Sequence, residues 1–169
     1  MPLPNLDVVL PPSVAHLDVH SHFTVLGATP SVEQLVERAS EDGLSHLALT
    51  DTNALYGAIS FSNACLAADI QPIIGMTVST AASQDNRLST TASPINGGRL
   101  ILLAKGPAGY RSLCRLSSLL QGQANRNNIG LQRLSWPELR ANAEGLICLS
   151  GGRNSALYRF LQAGDLAAA

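Results

Sequence analysis

The stretch "HLALTDTNALYGAISFSNACLAADIQPIIGMTVS", residues 46–79, decides the fold class. It opens with the compact apolar run His46–Thr50 and closes with a second one, Pro72–Val78, and both have the length and aliphatic content of buried strands. Between them, Leu55–Ala68 is long enough for a helix of about four turns. Because parallel neighbours need a crossover connection, a strand, a helix and a strand in this order predict a parallel βαβ unit.

The same alternation continues on both sides of this unit. The first four predicted strands begin near residues 17, 47, 73 and 100, a spacing of one strand and one connection each. We therefore predict an α/β fold with mainly parallel strands, either open or closing into a barrel. The further elements predicted are a strand over 14–19, a helix between Ser31 and Asp42, a strand over 100–104, a helix with Tyr110, Leu113, Cys114, Leu116, Leu119 and Leu120 on its apolar face, a short helix after the capping residue Ser135, a strand over 146–149 and a last helix over 155–162.

Two regions fall outside this pattern. Residues 1–13 form a Pro-rich lead-in, so the predicted domain covers 14–169. Residues 79–98 are rich in Ser, Thr and Asn without periodicity, which predicts a loop or a hairpin insertion. The length of 169 residues suits a single domain.

Composition excludes several classes of protein. Eleven basic residues against twelve acidic ones give a net charge of −1, so no basic surface able to track a nucleic-acid backbone is predicted. No apolar run is long enough to span a bilayer and the start lacks a signal-peptide pattern, so we expect a cytoplasmic protein without a membrane partner. Cys65, Cys114 and Cys148 lie far apart in apolar segments, which predicts buried thiols.

The segment "HLDVHSHF", residues 16–23, is unusually rich in metal-binding side chains. On an extended segment Asp18, His20 and His22 would point to one face, and Asp51 ends the next strand at the same edge of the sheet. Imidazole nitrogens with carboxylates suit zinc, manganese or iron. The other interpretation is a strand end with hydrogen-bonded polar residues. The ends of the second and third predicted strands favour this second interpretation. Thr52 and Thr77 stand where further ligands would be needed, and threonine is a poor ligand for a transition metal.

The order of "HLDVHSHFTVL", "HLALTDTNALYGA", "IQPIIGMTVS" and "EGLICLSGG" resembles the polymerase and histidinol phosphatase (PHP) domain of bacterial DNA polymerase III alpha subunits, of the replicative and error-prone types. The resemblance runs from about His16 onward. It implies the first part of a distorted β/α barrel, which in some members binds several metal ions and has nuclease activity. In other members the domain has lost its ligands and is a structural or partner-binding module.

The ligand positions of the family are mostly changed in this sequence. The resemblance implies that His20 alone is unchanged among five first-half ligand positions, that Asp51 is kept in the second motif, and that no residue here is catalytic. The altered positions are Asp18 for the first histidine, Gly27 for an acidic ligand, Thr52 for a histidine and Thr77 for a glutamate. The resemblance therefore implies a degenerate metal site, with no cofactor expected and with zinc or manganese disfavoured.

Two functions follow from the resemblance. The first is a structural or partner-binding piece of a DNA polymerase III alpha chain in DNA replication or lesion bypass, whose nucleotidyltransferase site and magnesium lie elsewhere. The alternative is a metal-dependent phosphoesterase or 3'-5' exonuclease that uses Asp18, His20, His22 and Asp51 as ligands.

The resemblance also implies partners. They are the remainder of the polymerase chain, a proofreading or accessory subunit, and DNA reached through the parent protein. If the strands end at Leu149, the exposed sheet edge further predicts self-association.

Overall fold

A computed structural model describes residues 14–81, 97–123, 132–150, 152–162 and 164. The predicted lead-in, residues 1–13, lies outside the described residues, as do residues 82–96 of the predicted insertion. In chain order the elements are α1 (Val32–Glu41), β1 (His46–Leu49), α2 (Ala58–Ala67), β2 (Gln71–Ser79), β3 (Arg99–Ala104), α3 (Pro107–Gly122), α4 (Trp136–Ala141), β4 (Leu146–Leu149), a 3₁₀ turn (Gly152–Asn154) and α5 (Ala156–Gln162).

The strands form one sheet in the order β1-β2-β3-β4, and the α/β fold class is confirmed. β1 and β2 are parallel, with Leu49 opposite Ile74, as the βαβ unit predicts. The parallel direction does not extend to β3, which is antiparallel to both β2 and β4. The antiparallel pairing of β2 and β3 begins at Ser79 and Arg99. Strand spacing alone cannot separate a helical crossover from a connection that returns along the same strand, so sequence misses this reversal.

The strand predicted over residues 14–19 is not a regular strand. His16 makes an isolated parallel bridge to Leu47, the chain bends at Asp18, and turns occupy residues 22–27. The segment nevertheless lies along β1, because Ala48 N donates to His16 O (3.1 Å) and Thr50 N donates to Val19 O (2.8 Å). We call residues 16–27 the leading segment; it covers the outer edge of β1.

Two helices begin with the capping boxes that their sequences predict. At α1 the Ser31 hydroxyl accepts from Gln34 N while the Gln34 side chain accepts from Ser31 N. At α4 Ser135 and Glu138 make the same reciprocal pair. Each box satisfies backbone N–H groups that a helix start otherwise leaves unpaired.

The core has two main clusters. One joins α1, α2 and β1 around Val36, Phe61 and Cys65, and the other joins β2, β3 and α3 around Met76 and Leu113. Some expected core positions are exposed. Leu119 of α3 is exposed and Cys114 is partly buried, so the buried stripe of that helix instead runs through Gly109, Ser112, Leu113, Leu116 and Leu120.

Cys148 is also exposed, although it lies in an apolar segment, because it sits on a strand whose middle residues face outward. Within the described residues, no helix is both long and apolar enough to cross a membrane.

Candidate functional site

Asp51, the first residue after β1, is the most deeply buried of the predicted site residues that could bind a cation, with 2% of its surface exposed. Its Oδ1 accepts from Ser21 N and from Thr24 Oγ1, both at 2.7 Å. Its Oδ2 accepts from Ser21 Oγ, again at 2.7 Å. The carboxylate therefore uses both of its oxygens to hold the leading segment against the end of β1.

Asp18 and His20 face a cation supplied by the chain itself. Arg99, the first residue of β3, places Nη2 at 2.9 Å from Asp18 Oδ1 and within hydrogen-bonding distance of His20 Nε2. Nη2 also lies 3.5 Å from Thr77 Oγ1 on β2. The exposed fractions of the side chains are 45% for Asp18, 18% for His20 and 30% for Arg99, so the group is partly open to solvent.

The two contacts of His20 Nε2 differ in kind, because Arg99 Nη2 is a donor and Asp18 Oδ1, 3.0 Å away, is an acceptor. The proton on the other ring nitrogen, Nδ1, is assigned from its contact with Thr24. Nδ1 then donates to Thr24 Oγ1 at 3.0 Å, and that hydroxyl donates its own proton to Asp51 Oδ1. If Nδ1 carried no proton, both Nδ1 and Asp51 Oδ1 would need the single hydroxyl proton of Thr24. We call Asp18, His20, Thr24, Asp51 and Arg99 the polar cluster.

His22 lies outside the polar cluster. Its side chain is exposed, its ring stacks on Phe23 with centroids 4.3 Å apart, and its N–H donates to Pro30 O. The expected common face of Asp18, His20 and His22 fails because side chains alternate regularly only on an extended strand, and here the chain bends and turns.

The remaining positions contribute no strong ligand. Gly27 closes a turn with its N–H on Thr24 O, and a Cβ there would lie 2.7 Å from Thr24 Cγ2. Thr52 is exposed and pairs in an isolated bridge with the buried Thr77. Thr77 contacts the polar cluster through its N–H, which donates to Asp51 O (3.1 Å), and through its hydroxyl, whose oxygen lies 3.5 Å from Arg99 Nη2.

Sequence reasoning missed Arg99, Ser21 and Thr24. Arg99 had a signal, since it is the one charged residue of the strand "RLILLA" and begins it. Ser21 and Thr24 had none beyond their place beside the histidines, because hydroxyl residues are common in any turn. Which carboxylate they contact depends on tertiary structure.

The donor set does not fit a divalent metal. A zinc site needs three or four nitrogen, sulfur or oxygen ligands at about 2.0–2.3 Å around one point. Here the oxygens of Asp51 are engaged by hydroxyl and amide donors, and Asp18 and His20 contact each other and the guanidinium of Arg99. Among the described residues, no three His, Cys, Asp or Glu side chains are grouped so that they could hold an ion.

Comparison with known proteins identifies the family. The model of the PHP domain matches residues 16–169. The chain belongs to the PHP domain family.

The similar curated proteins are polymerase subunits. The DNA polymerase III subunit alpha of Bacillus subtilis is 37% identical over 152 residues, which cover 90% of this chain and 12% of that protein. The same subunit of Chlamydia pneumoniae is 38% identical over 141 residues, covering 83% of this chain and 11% of that protein. The PHP chain thus spans about an eighth of the length of these relatives.

Among solved structures, an amidohydrolase from Chromobacterium violaceum superposes with a TM-score of 0.43 and 22% identity. The superposition covers 62% of this chain and 32% of that one.

Proposed function

We propose that this PHP domain is a non-catalytic, structural part of a DNA polymerase III alpha chain. The family assignment and the identity of 37% to a polymerase subunit over 152 residues support the parent protein. The geometry of the polar cluster supports a role without metal-dependent catalysis. In this proposal the strand ends that would carry ligands in a metal-binding relative are used to hold the leading segment on the sheet.

The environment of Asp51 carries the proposal. A metal ligand must direct an oxygen lone pair at the ion, and three of the roughly four lone-pair sites of this carboxylate already accept hydrogen bonds of 2.7 Å from the leading segment. Those bonds satisfy a buried charge in the way that a structural carboxylate requires. The arrangement suits a structural carboxylate that links residues 21–24 to the end of β1 by hydrogen bonds.

Nucleotidyl transfer, with its magnesium ions, is proposed for the rest of the parent chain, in either DNA replication or lesion bypass. The near-neutral charge of −1 supports contact with DNA through the parent protein and little through this domain. A polymerase of this kind acts on cytoplasmic DNA, so the cytoplasm is the proposed location.

The proposed partners are the remainder of the polymerase chain and a proofreading or accessory subunit. Among the described strands, β4 has a hydrogen-bonded neighbour on one side only, β3. Ile147 on β4 and Leu157, Tyr158 and Leu161 on α5 are exposed apolar side chains nearby in sequence. An unpaired edge with apolar side chains supports pairing with a further polypeptide or, at high concentration, self-association.

The test combines metal content with phosphoester hydrolysis. The purified 169-residue chain is analysed for bound metal, titrated with zinc and manganese, and assayed on p-nitrophenyl phosphate, bis-p-nitrophenyl phosphate and a single-stranded DNA with a labelled 5' end. We expect no stoichiometric metal and no hydrolysis above a matched His20→Ala control.

Binding of two or three ions per chain, with hydrolysis that the His20→Ala variant loses, would instead establish the phosphoesterase or exonuclease. In that case the structural role proposed for the polar cluster would be discarded.

A further inference from the structure

We propose that Arg99 is the resident cation of the polar cluster: its guanidinium takes the position of a metal ion, joins Asp18, His20 and Thr77 to β3, and keeps divalent ions out. This inference rests on the proposed non-catalytic role of the polar cluster and adds the residue that accounts for it. The cation is then part of the polypeptide, and the acceptors of the polar cluster are satisfied without a bound ion.

The position of one nitrogen carries the inference. Arg99 Nη2 alone lies within 3.5 Å of a carboxylate oxygen, an imidazole nitrogen and a hydroxyl oxygen. Two of these acceptors lie on the leading segment and the third, Thr77, lies on β2. A cationic group that joins acceptors from two segments in this way resembles a metal centre, but with hydrogen bonds in place of coordination bonds.

Charge explains the exclusion of metal. Asp18 is the only carboxylate that contacts Arg99 among the described residues, so the guanidinium already neutralises its charge. A divalent ion placed there would find no free negative charge and would be repelled by the guanidinium beside it. Arg99 Nε is buried and has no hydrogen-bond partner among the described residues. Partial burial of the guanidinium weakens solvent screening and strengthens its attraction to Asp18.

The loss of the acidic position at residue 27 fits the same arrangement. A Cβ at Gly27 would lie 2.7 Å from the methyl group of Thr24. Thr24 accepts from His20 Nδ1 and donates to Asp51, so its position is fixed by the polar cluster. A side chain at residue 27 would therefore clash with Thr24 in its present position, so the turn would have to move to accept one.

The first experiment measures whether Arg99 and Asp18 act as one unit. Urea unfolding of the 169-residue chain is compared for Arg99→Met, Asp18→Asn and the double variant. We expect each single change to lower the folded-to-unfolded ratio about tenfold, and the double variant to lower it little further, because either change breaks the same contact. Effects that multiply to about a hundredfold would overturn the inference.

A matched control is Arg38→Met. Arg38 also contacts carboxylates, those of Glu41 and Asp42, but its side chain is 71% exposed on α1. We expect its folded-to-unfolded ratio to stay within about threefold of the wild type, since exposed ion pairs contribute little.

The second experiment measures zinc affinity by competition with a chromophoric chelator. Arg99→His replaces the cation with a neutral ligand, so we expect zinc to bind at least tenfold more tightly than to the wild type, and the gain to disappear when His20→Ala is added. Equal zinc affinity of the wild type and Arg99→His, whether strong or weak, would overturn the inference.

The two proposals fail in different ways. If the wild type hydrolyses phosphoesters with bound metal, the non-catalytic role and the resident cation both fail. If the wild type is inactive but Arg99 and Asp18 act independently and zinc affinity ignores Arg99, only the resident cation fails.

Discussion

β1 and β4 are both four residues long and both lie at a margin of the sheet, yet their environments are opposite. In β1 every residue after His46 is buried, whereas in β4 Ile147 and Cys148 are exposed and the strand ends are half-buried. The difference lies in what covers each outer edge. β1 is covered by the leading segment, while β4 has no second hydrogen-bonded neighbour among the described residues.

The comparison shows that a polar network, and not a regular strand, closes the first edge. The leading segment makes two backbone hydrogen bonds to β1 and its end, and Thr50 Oγ1 accepts from Val19 N in place of a ladder partner. Asp51 then fixes Ser21 and Thr24. Asp51, which sequence analysis singled out as a candidate ligand, thus helps to hold the first edge of the sheet.

The largest effect is expected from Asp51→Ala. Removing the carboxylate leaves the Ser21 and Thr24 donors unpaired in a buried site, so the free energy of unfolding should fall by about 3–5 kcal/mol. Urea denaturation followed by circular dichroism measures this loss. Such a loss would show that the β1 edge, without its polar network, is as poorly covered as the β4 edge.

Asp42→Ala is the control for that variant. Asp42 is also an acidic residue with an ionic partner, Arg38, but it lies at the exposed end of α1 and should cost less than about 1 kcal/mol. A loss below about 1 kcal/mol for Asp51→Ala would mean that Asp51 does not hold the leading segment.

The second prediction compares equivalent truncations in the two edge strands. Leu47 on β1 is 3% exposed and Ile147 on β4 is 47% exposed. Leu47→Ala should lower the free energy of unfolding by about 2–4 kcal/mol, because it leaves a cavity in the core. Ile147→Ala should cost less than about 1 kcal/mol, because half of that side chain already contacts water. Urea midpoints measured in parallel give the comparison.

The same position reports on self-association. If the β4 edge pairs between copies, Ile147→Lys should lower the sedimentation coefficient at high protein concentration, since a charged edge strand resists pairing. A wild-type chain that stays monomeric throughout the concentration series would refute the predicted self-association. Similar costs for Leu47→Ala and Ile147→Ala would show that β4 is as well covered as β1.

The sequence predicts β1, α2 and β2 well because each depends on a local pattern of apolar residues. It fails at residues 14–19, where an apolar run lies beside the sheet as an irregular segment whose hydrogen bonds go partly to the Thr50 side chain. It also misses the direction of β3, because direction is set by the path of the connection and leaves no mark in the strand.

The candidate site was predictable only in part. Asp18, His20 and Asp51 were found because their side chains are typical ligands in a dense cluster. The actual partner of Asp18 and His20 is Arg99, which lies 81 residues from Asp18 and reaches it because β3 pairs with β2. Contacts between residues so far apart in sequence depend on strand register, which a single sequence does not reveal.

The smallest expected effect comes from the two capping boxes. One begins α1, which packs beside β1, and the other begins α4, which precedes β4. Hydrogen bonds from the hydroxyl and the backbone N–H of Ser135 lower the pKa of Glu138, whereas Gln34 in the box of α1 cannot titrate. A carboxyl whose folded pKa lies below its unfolded value near 4.5 adds stability above that value and loses it as the pH falls through the folded pKa.

Glu138→Gln should therefore lower the free energy of unfolding by less than about 1 kcal/mol at pH 7, and the difference from the wild type should shrink as the pH falls below 4.5. Thermal melts of both proteins from pH 7 to pH 3.5 measure it, with Gln34→Ala as the control whose cost should not depend on the protonation of the box itself. A difference for Glu138→Gln that is constant across this range would show that the carboxylate form of Glu138 adds nothing that the neutral amide lacks. The start of α4, which leads into β4, would then be as insensitive to pH as the start of α1, which packs beside β1.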